Sequence, residues 1–400
     1  MKKDKPHILV VSQYFYPEQF RINDMAAEWV KRGYEVTVLT GIPNYPRGKF
    51  YKGYSWRKRR RETWNGIDIR RIPLFARGRT SFGMVLNYIS FVISGWFWKA
   101  FTKLRADMVF TFEVSPMTQA LVGCWYAKKH KIPHYLYVQD LWPQNVKTVS
   151  GIKTPLIIKP IDKMVKYIYD RSDKILAASP GFLKSIKMRA KCDEKVMYWP
   201  QYAEDFYKPA ENASVPEIPQ NGTFKIAFTG NIGFAQGLDV LPKVAKKLKD
   251  EDIQFVIVGD GRYKEGLLRQ AEGVLDKFIM IDRQPPERIP EILSCCDVAF
   301  ISFMDTEIFG MTIPAKLQSY MACGMPIVAA AYGETVRIID EAGCGLCCDI
   351  GDIDALAENI LKLKNSDLSQ MKKNARAYFE ANFDKKKLMD EMDLLFEEAR

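Results

Sequence analysis

Short runs of apolar, often β-branched residues alternate with amphipathic stretches over most of this chain. Parallel sheets that are covered by helices on both faces are built from strands of this kind, which are buried on both sides. In the first half, such runs predict strands at residues 7–15, 35–41, 67–73, 107–114, 134–140 and 174–180. Residues 22–32 and 117–130, between some of these runs, have the spacing of amphipathic helices. The first half therefore predicts a Rossmann-like α/β domain.

This pattern breaks at residues 208–223, which are rich in Pro, Asn, Glu and Ser and predict a linker. The alternation then resumes, with predicted strands at residues 224–231, 253–261, 278–282, 297–303 and 326–331. We therefore predict an α/β protein with two tandem, doubly wound domains, residues 1–207 and 224–365. Charged helices at residues 366–400 are expected to cross back towards the first domain. Because ligands of open α/β sheets bind beyond the carboxyl ends of the strands, we expect the domains to face each other across a ligand cleft.

One segment, residues 82–101, departs from the alternation because it is almost uncharged and rich in aromatic residues. It is long enough to span a membrane, but it lies between two predicted strands of one domain, and a span there would split the sheet. We predict a helix that is partly core and partly membrane-facing, with Trp96, Phe97 and Trp98 at the interface. The alternative is a helix wholly buried in the core. The basic cluster RKRRR (57–61) lies just upstream, and without a recognised nucleic-acid module it favours an anionic phospholipid surface.

Composition narrows the setting and the chemistry. The formal net charge of +11 suits an acidic partner, such as a nucleoside diphosphate or an anionic lipid, without choosing between them. No long apolar secretory segment precedes the eight cysteines, so we expect a reduced, cytoplasmic setting. The three histidines lie in the first third, and the G-x-S-x-G and H-E-x-x-H hydrolase motifs are missing. A D-x-D at Asp352 and Asp354 precedes a predicted helix, where an N-cap is favoured over a metal site.

Two segments of the second domain suggest a site for an anion. The stretch FTGNIGFAQG (228–237) is a strand followed by a turn with glycines at 230, 233 and 237, through which backbone N–H groups can approach a diphosphate at a helix start. Its spacing is neither that of a dinucleotide-binding turn nor that of a P-loop. Further along, Lys316 is predicted in the first turn of a helix. The N–H groups of Thr312 and Ile313 beside it would complete an anion cradle.

The order of several segments resembles a known family. GNIGFAQGL (230–238), VGDGR (258–262) and IPAKLQSYMACGMPIVA (313–329) are similar to the donor domain of glycosyltransferase family 4. The resemblance is strongest to the fucosamine- and colanic-acid-type transferases of bacterial O-antigen and capsule synthesis. The opening of the chain (8–54) and YVQDLWPQ (137–144) are similar to the first domain of that subgroup.

This resemblance implies a GT-B fold in which the second domain holds a nucleoside-diphosphate sugar and the first holds the acceptor. It also implies retention of the anomeric configuration with neither a cofactor nor an obligatory metal, so that cationic side chains stabilise the leaving diphosphate. Lys316 and Asp140 are the catalytic candidates. The donor-binding candidates are Gly230, Asn231, Gly233, Gln236, Gly237, Arg262, Arg283, Glu307, Thr312, Ile313 and Ser319. On the acceptor side of the cleft the candidates are Tyr16, Arg21, Glu113 and Gln139.

The chain departs from the family pattern at three places. Asn231 and Gln236 stand where many members carry Arg and Lys, which moves the cationic role to residues such as Lys316. Met311 and Ser319 replace the usual pair of glutamates, so Ser319 would hydrogen-bond the donor ribose and Glu307 would substitute for the first glutamate. Gln139 and Asp140 occupy the place of a common catalytic-type histidine.

The expected activity is transfer of an N-acetylated hexosamine or deoxyhexosamine from a UDP-sugar, with GDP-fucose as the main rival donor. The expected acceptor is a polyprenyl-diphosphate-linked glycan at the inner face of the cell membrane, in capsule, O-antigen or exopolysaccharide synthesis. Nucleic acid is not expected as a partner. Two alternatives stay open: a UDP-sugar 2-epimerase-like enzyme of the same fold, and a transferase-like binding subunit with weak catalysis.

Overall fold

The computed structural model describes residues 6–78, 80–152, 154–210 and 213–398. Residues 1–5, 79, 153, 211, 212, 399 and 400, which the predicted domain and linker limits include, lie outside the described part. The chain divides into two compact units, residues 1–178 with 182–199 and residues 179–181 with 200–400. Residues 200–207, predicted as the end of the first domain, therefore belong to the second unit.

The first unit is built on a sheet whose described strands number eight and follow the order β3-β4-β2-β1-β5-β6-β7-β8. These strands are β1 (His7–Val11), β2 (Glu35–Gly41), β3 (Arg61–Trp64), β4 (Ile67–Ile72), β5 (Met108–Glu113), β6 (His134–Val138), β7 (Lys174–Ala177) and β8 (Val196–Tyr198). All neighbours pair in parallel except β3, which runs antiparallel to β4 at the edge. The strand order reverses between β1 and β5, so the switch point of this sheet lies at their carboxyl ends.

Helices connect these strands as crossovers. They are α1 (Arg21–Lys31), α2 (Ser81–Phe101), α3 (Ala120–His130), α4 (Gln144–Ser150), α5 (Pro155–Arg171) and α6 (Pro180–Lys187). The predicted apolar helix is α2, and by length and composition it is the one described helix that could cross a membrane. It packs against α3 so closely that a Cβ on Gly95 would clash with a methyl group of Val122. Because α2 packs against α3 and β4 and is yet largely exposed, the wholly buried alternative is wrong.

The second unit has six described strands, all parallel, in the order β11-β10-β9-β12-β13-β14. They are β9 (Phe224–Asn231), β10 (Ile253–Asp260), β11 (Phe278–Ile281), β12 (Val298–Ser302), β13 (Ile327–Ala330) and β14 (Gly345–Cys348). Its helices are α7 (Val240–Lys247), α8 (Lys264–Gln270), α9 (Ile289–Ser294), α10 (Glu307–Gly310), α11 (Ala315–Ala322), α12 (Glu334–Ala342), α13 (Ile353–Lys364), α14 (Ser369–Asn382) and α15 (Lys385–Glu398). This order places a switch point between β9 and β12.

The two doubly wound domains predicted from the apolar runs are confirmed. Fully buried residues of β9, β10 and β12, among them Ile226, Phe255 and Phe300, form the core of the second sheet with α7 and α13. At the D-x-D, the Asp352 carboxylate accepts a hydrogen bond from Ala355 N at 2.9 Å and caps α13, as predicted. The sequence reading missed β3 and β8. Both are short strands of mixed burial, and β3 begins inside the basic cluster, where the apolar pattern is weakest.

Candidate functional site

The switch point of the second sheet brings the predicted glycine turn against the end of β12. The Ser302 hydroxyl donates to Gln236 O at 2.6 Å, and Met304 N donates to Ala235 O at 3.2 Å. Gly237 has a φ of +58°, and a Cβ there would lie 2.6 Å from Phe303 O, so only glycine fits. The residues that follow β9 and β12 therefore form one continuous rim at the position where open α/β sheets bind their ligands.

Lys316 projects into this rim from the first turn of α11. Its ammonium group donates a hydrogen bond to Gln236 Oε1 and lies 4.1 Å from the centre of the Phe228 ring. The Phe303 ring centre is 6.0 Å away from the same group. Within the described part of the chain, Lys316 forms no ion pair with a carboxylate. Lys316 and the glycine turn, which were predicted separately for the donor side, are thus in contact through Gln236.

Burial controls the charge of this lysine. Desolvation among the aromatic rings lowers the pKa of Lys316 to about 7. A phosphate oxygen at the rim would favour the charged form, because an opposite charge raises the pKa of an ammonium group. The site therefore carries a cation whose protonation depends on whether an anion is present.

The backbone of the glycine turn is tightly organised. The N–H groups of Gly233, Gln236 and Gly237 donate within the turn to Asn231 O, Gly233 O and Phe234 O. A Cβ on Gly259 of β10 would clash with Gly230 O of β9, so the carboxyl ends of these two strands are in close contact. Gly230 and Asn231 are exposed at the tip. These three engaged N–H groups are not available to a diphosphate.

The helix-start cradle lies later in the chain than predicted. α11 begins at Ala315 after Pro314, so the N–H groups of its first turn belong to Ala315 and Lys316 rather than to Thr312 and Ile313. Thr312 N donates to Phe309 O at 3.2 Å, and the Thr312 hydroxyl donates to Ile308 O at 2.7 Å.

The remaining donor-side candidates lie at different distances from this rim. The Ser319 side chain is buried on α11, and its hydroxyl donates to Ala315 O at 3.1 Å. Glu307, the first residue of α10, is exposed. Arg262 and Arg283 are exposed on the loops after β10 and β11. Because β11 is two strands from β9, Arg283 emerges roughly 10 Å along the sheet from the turn.

In the first unit, the acceptor-side candidates lie at the carboxyl ends of its strands. The Tyr16 ring stacks on Trp64 with centroids 4.6 Å apart. Arg21 is the first residue of α1. Burial raises the pKa of the Tyr137 phenol, and the nearby positive charge of Arg21 lowers it by a smaller amount. The side chain of Gln139, which follows β6, acts on the same phenol. Arg21 and Gln139 thus both lie near Tyr137, whereas Tyr16 contacts the edge formed by β3.

Two carboxyl groups meet where β5 and β6 end. Asp140 Oδ2 accepts a hydrogen bond from Ser115 N at 2.6 Å. Glu113 is fully buried, so the expectation that it lines the acceptor side is wrong for this structure. Burial, and then the negative charge of Asp140, raise the pKa of Glu113 well above its ordinary value. Glu113 is therefore a neutral acid beside the half-buried Asp140, whose own pKa burial also raises.

Sequence reasoning missed several residues of these sites. Glu18 Oε1 accepts hydrogen bonds from Asn44 N and Tyr45 N, both at 2.6 Å, and so fixes the turn after β1 to the loop after β2. Burial raises the pKa of this carboxyl to about 7. In the second unit, the Tyr320 hydroxyl accepts from Thr229 N at 2.9 Å and holds the end of β9. A glutamate or a tyrosine in isolation gives no sequence signal for such long-range bonds.

Two family models match the chain. Residues 211–378 match the "Glycosyl transferases group 1" family, and residues 19–189 match the "Glycosyl transferase 4-like domain". The two matches follow the two structural units, and the first of them contains both the glycine turn and Lys316. Among the described residues, no group of three or more His, Cys, Asp or Glu side chains has the geometry to hold a metal ion.

Similar proteins agree with these models. A protein of Pseudomonas aeruginosa named as a glycosyltransferase, WbjE, is 27% identical over 62% of this chain and 64% of its own length. A protein of Escherichia coli named as a colanic acid biosynthesis glycosyl transferase, WcaI, is 25% identical over 96% of this chain and 97% of its own. The structure of Anabaena HepE in complex with UDP and glucose superposes with a TM-score of 0.70, at 14% identity over 98% of this chain and 100% of that one. The two family models together cover most of the chain, which therefore belongs to the glycosyltransferases of the GT-B fold, and one relative is named for colanic acid biosynthesis.

Proposed function

We propose that this protein is a retaining, family 4-type transferase that moves an N-acetylated hexosamine or deoxyhexosamine from a UDP-sugar to a lipid-linked glycan. The acceptor would be a polyprenyl diphosphate glycan on the cytoplasmic face of the cell membrane, in capsule, O-antigen or exopolysaccharide synthesis. Retention, the class of sugar and the fucosamine-type subgroup rest on the family resemblance. The donor and membrane parts of the proposal also draw on the geometry of the two units.

Lys316 is the observation that carries the donor half. Its ammonium group lies at the switch point of the sheet and contacts an amide oxygen and aromatic rings. None of these groups neutralises the positive charge, so an anionic ligand can do so. A diphosphate leaving group develops negative charge in the transition state, and a pre-placed cation stabilises it without reorganisation. The exposed Asn231 and the half-buried Gln236 can add neutral hydrogen bonds to the phosphates. UDP is the proposed nucleotide because HepE, of the same fold, binds UDP and glucose.

The first experiment is a calorimetric titration of the protein with UDP, GDP, ADP and CDP in the absence of metal. We expect UDP to bind, and at a hundredfold excess over its dissociation constant to stabilise the fold by about 2.7 kcal/mol. Binding of GDP alone would redirect the donor to a GDP-sugar. Binding of none would contradict the donor half and favour the weakly catalytic binding subunit. Turnover of the UDP-sugar without an acceptor, giving an epimer, would identify the 2-epimerase-like alternative.

The exposed face of α2 carries the membrane half of the proposal. Large apolar side chains along α2 point to solvent with exposed fractions between 47% and 79%, namely Phe82, Val85, Ile89, Ile93, Trp96, Phe97 and Phe101. Their spacing places them on one side of the helix, opposite the buried Asn87, Phe91 and Gly95. An apolar stripe of this size on a water-facing helix is typical of a membrane-surface helix.

The basic cluster, residues 57–61, is connected to the middle of α2 through Trp56 and Phe75. Trp56, just before the cluster, is 45% exposed and packs edge-on against Phe75, which is equally exposed, with ring centroids 5.3 Å apart. Phe75 N donates to Ser90 Oγ on α2 at 3.0 Å. Residues 57–61 are all exposed, although Arg61 already begins β3. Cationic and apolar groups therefore adjoin, as required for a surface that contains anionic lipid.

Replacing Ile93 and Phe97 together with Ser is expected to weaken binding to vesicles of phosphatidylglycerol and phosphatidylcholine at least about tenfold, because two exposed apolar side chains no longer enter the interface. Co-sedimentation measures the partition coefficient. Leu394→Ser, which removes a 61% exposed leucine from α15, is the matched control and should leave binding unchanged. Equal vesicle binding by the wild-type and doubly substituted proteins would rule out α2 as the membrane surface.

A further inference from the structure

A single amide side chain interrupts the apolar helix α2. Asn87 is fully buried on the side of α2 opposite the exposed stripe. Its Nδ2 donates to Phe75 O at 2.6 Å, and its Oδ1 accepts from Gln13 Nε2 at 2.7 Å. Gln13 follows β1 at the switch point of the first sheet. The membrane-surface helix is therefore hydrogen-bonded directly to the carboxyl end of the central strand.

A second buried amide continues this connection. Gln13 N donates to Gln119 Oε1 at 2.7 Å, and both residues are almost completely buried. Gln119 Nε2 in turn donates to Val114 O at 2.5 Å and to Pro116 O at 3.1 Å. These two carbonyl groups lie on either side of Ser115. The Gln119 amide thus clamps the turn that follows β5.

That turn holds the candidate catalytic carboxylate. Ser115 N donates to Asp140 Oδ2 at 2.6 Å. The Ser115 hydroxyl accepts from Trp142 Nε1 at 3.1 Å and from Asn145 Nδ2 at 3.2 Å, which fixes the same turn from the other side. A connected series of buried hydrogen bonds, which we name the amide relay, therefore runs from Asn87 through Gln13 and Gln119 to the Ser115–Asp140 bond.

We propose that Gln13, Asn87 and Gln119 are positioning residues through which the seating of α2 on the membrane sets the position of the Asp140 carboxylate. The proposal rests on the function proposed above, in which α2 binds lipid, and on Asp140 as a catalytic candidate. Buried hydrogen bonds in series reinforce one another, and a partner removed from the series leaves an unsatisfied group. A small shift of α2 is therefore passed to Ser115 N rather than absorbed at Asn87.

Hydrogen exchange of the full-length protein reports on the relay without any substrate. Asn87→Leu and Gln119→Met keep the side-chain volume but remove the amides, and each is expected to raise the exchange rate of Ser115 N–H about tenfold. Ser90→Ala is the matched control, because Ser90 also joins α2 to Phe75 but lies outside the relay. It should leave Ser115 exchange unchanged. Unchanged Ser115 exchange in both amide variants would overturn the relay.

Anionic vesicles added to the wild-type protein test whether lipid binding by α2 affects Ser115. We expect vesicles that slow exchange along α2 also to slow exchange of Ser115 N–H severalfold, and this second effect to vanish in Asn87→Leu. Slowed exchange in α2 with no change at Ser115 would overturn the coupling. If the vesicles leave α2 itself unaffected, the membrane part of the proposed function fails, while the variants still decide whether the relay holds Ser115.

Transfer kinetics separate positioning from a merely structural role. Gln119→Met is expected to lower kcat at least about tenfold. The dissociation constant for UDP, whose proposed site lies in the second unit, should stay within twofold. A structural defect that spreads through the protein would instead change UDP binding and transfer together. An unchanged kcat in Gln119→Met, with UDP still bound, would overturn the positioning role and leave the donor site intact.

Discussion

Lys316→Met is expected to weaken UDP binding about 100-fold and to lower kcat/KM for sugar transfer by roughly 10² to 10³. The variant removes an ammonium group that no carboxylate neutralises within the described structure. The Met side chain is about as long as that of Lys, so it still fills the space beside the Phe228 and Phe303 rings. Gln236 loses its cationic partner as well. Calorimetry with UDP and initial rates with the UDP-sugar measure the two effects.

The pH dependence of UDP binding gives this prediction a second measurement. Because burial lowers the pKa of Lys316 to about 7, the free protein loses this charge as the pH rises above 7. Binding of a diphosphate restores the proton, so wild-type affinity should fall between pH 7 and 9 with uptake of a proton. The affinity of Lys316→Met should be flat over the same range apart from the titration of the nucleotide itself.

Lys316→Met is not expected to destabilise the fold. The folded pKa of Lys316 lies below its ordinary value, so the unfolded chain binds the proton more tightly. The charged lysine therefore opposes folding below about pH 7, and this cost falls as the pH rises towards the ordinary lysine range. Removing the ammonium group should leave the unfolding temperature at pH 7 unchanged or higher. A loss of binding that accompanies a lower unfolding temperature would not count as support.

Lys225→Met is the matched control for the charge itself. Lys225 is buried on the same strand, β9, at its amino end, where its ammonium group donates to Asn221 Oδ1 and Thr223 O. Parallel sheets bind ligands at the other end, so Lys225→Met should lower stability without weakening UDP binding. Equal losses of UDP affinity in the two variants would contradict the assignment of Lys316 to the diphosphate.

The strands and the rim of the donor site were accessible from sequence because their signals are local. A strand buried on both faces is a continuous apolar run, and β9, β10 and β12 each appear as one. The glycine turn is equally local, since Gly237 is required by a φ of +58° beside a neighbouring carbonyl group. Once these elements and their order are known, the switch-point rule places the turn near Lys316.

Helix boundaries and long-range hydrogen bonds were not accessible in the same way. Pro314 delays the start of α11, so the engaged Thr312 donors lie before the helix rather than in its first turn. The relay joins residues 74 and 106 positions apart, between Gln13 and Asn87 and between Gln13 and Gln119. The sequence did carry one signal of the relay, which is Asn87. A single asparagine in an apolar helix needs either a buried hydrogen-bond partner or contact with water.

Asp140→Asn is expected to lower kcat for transfer at least about 100-fold while the UDP dissociation constant stays within twofold, because the negative charge is lost and the shape is kept. The amide oxygen of the substituted side chain can still accept from Ser115 N, so the turn should remain in place. Initial rates at saturating UDP-sugar measure the effect.

The control for this variant uses the same hydrogen-bonding arrangement at the other end of the sheet. The Asp173 carboxylate accepts from His134 N at 2.8 Å at the amino end of β6, as Asp140 accepts from Ser115 N beyond its carboxyl end. Asp173→Asn should therefore change stability slightly and kcat not at all. If the two variants lose activity equally, Asp140 only supports the fold. If Asp140→Asn alone loses activity, the Asp140 carboxyl group takes part in the reaction, beside a Glu113 that burial keeps neutral.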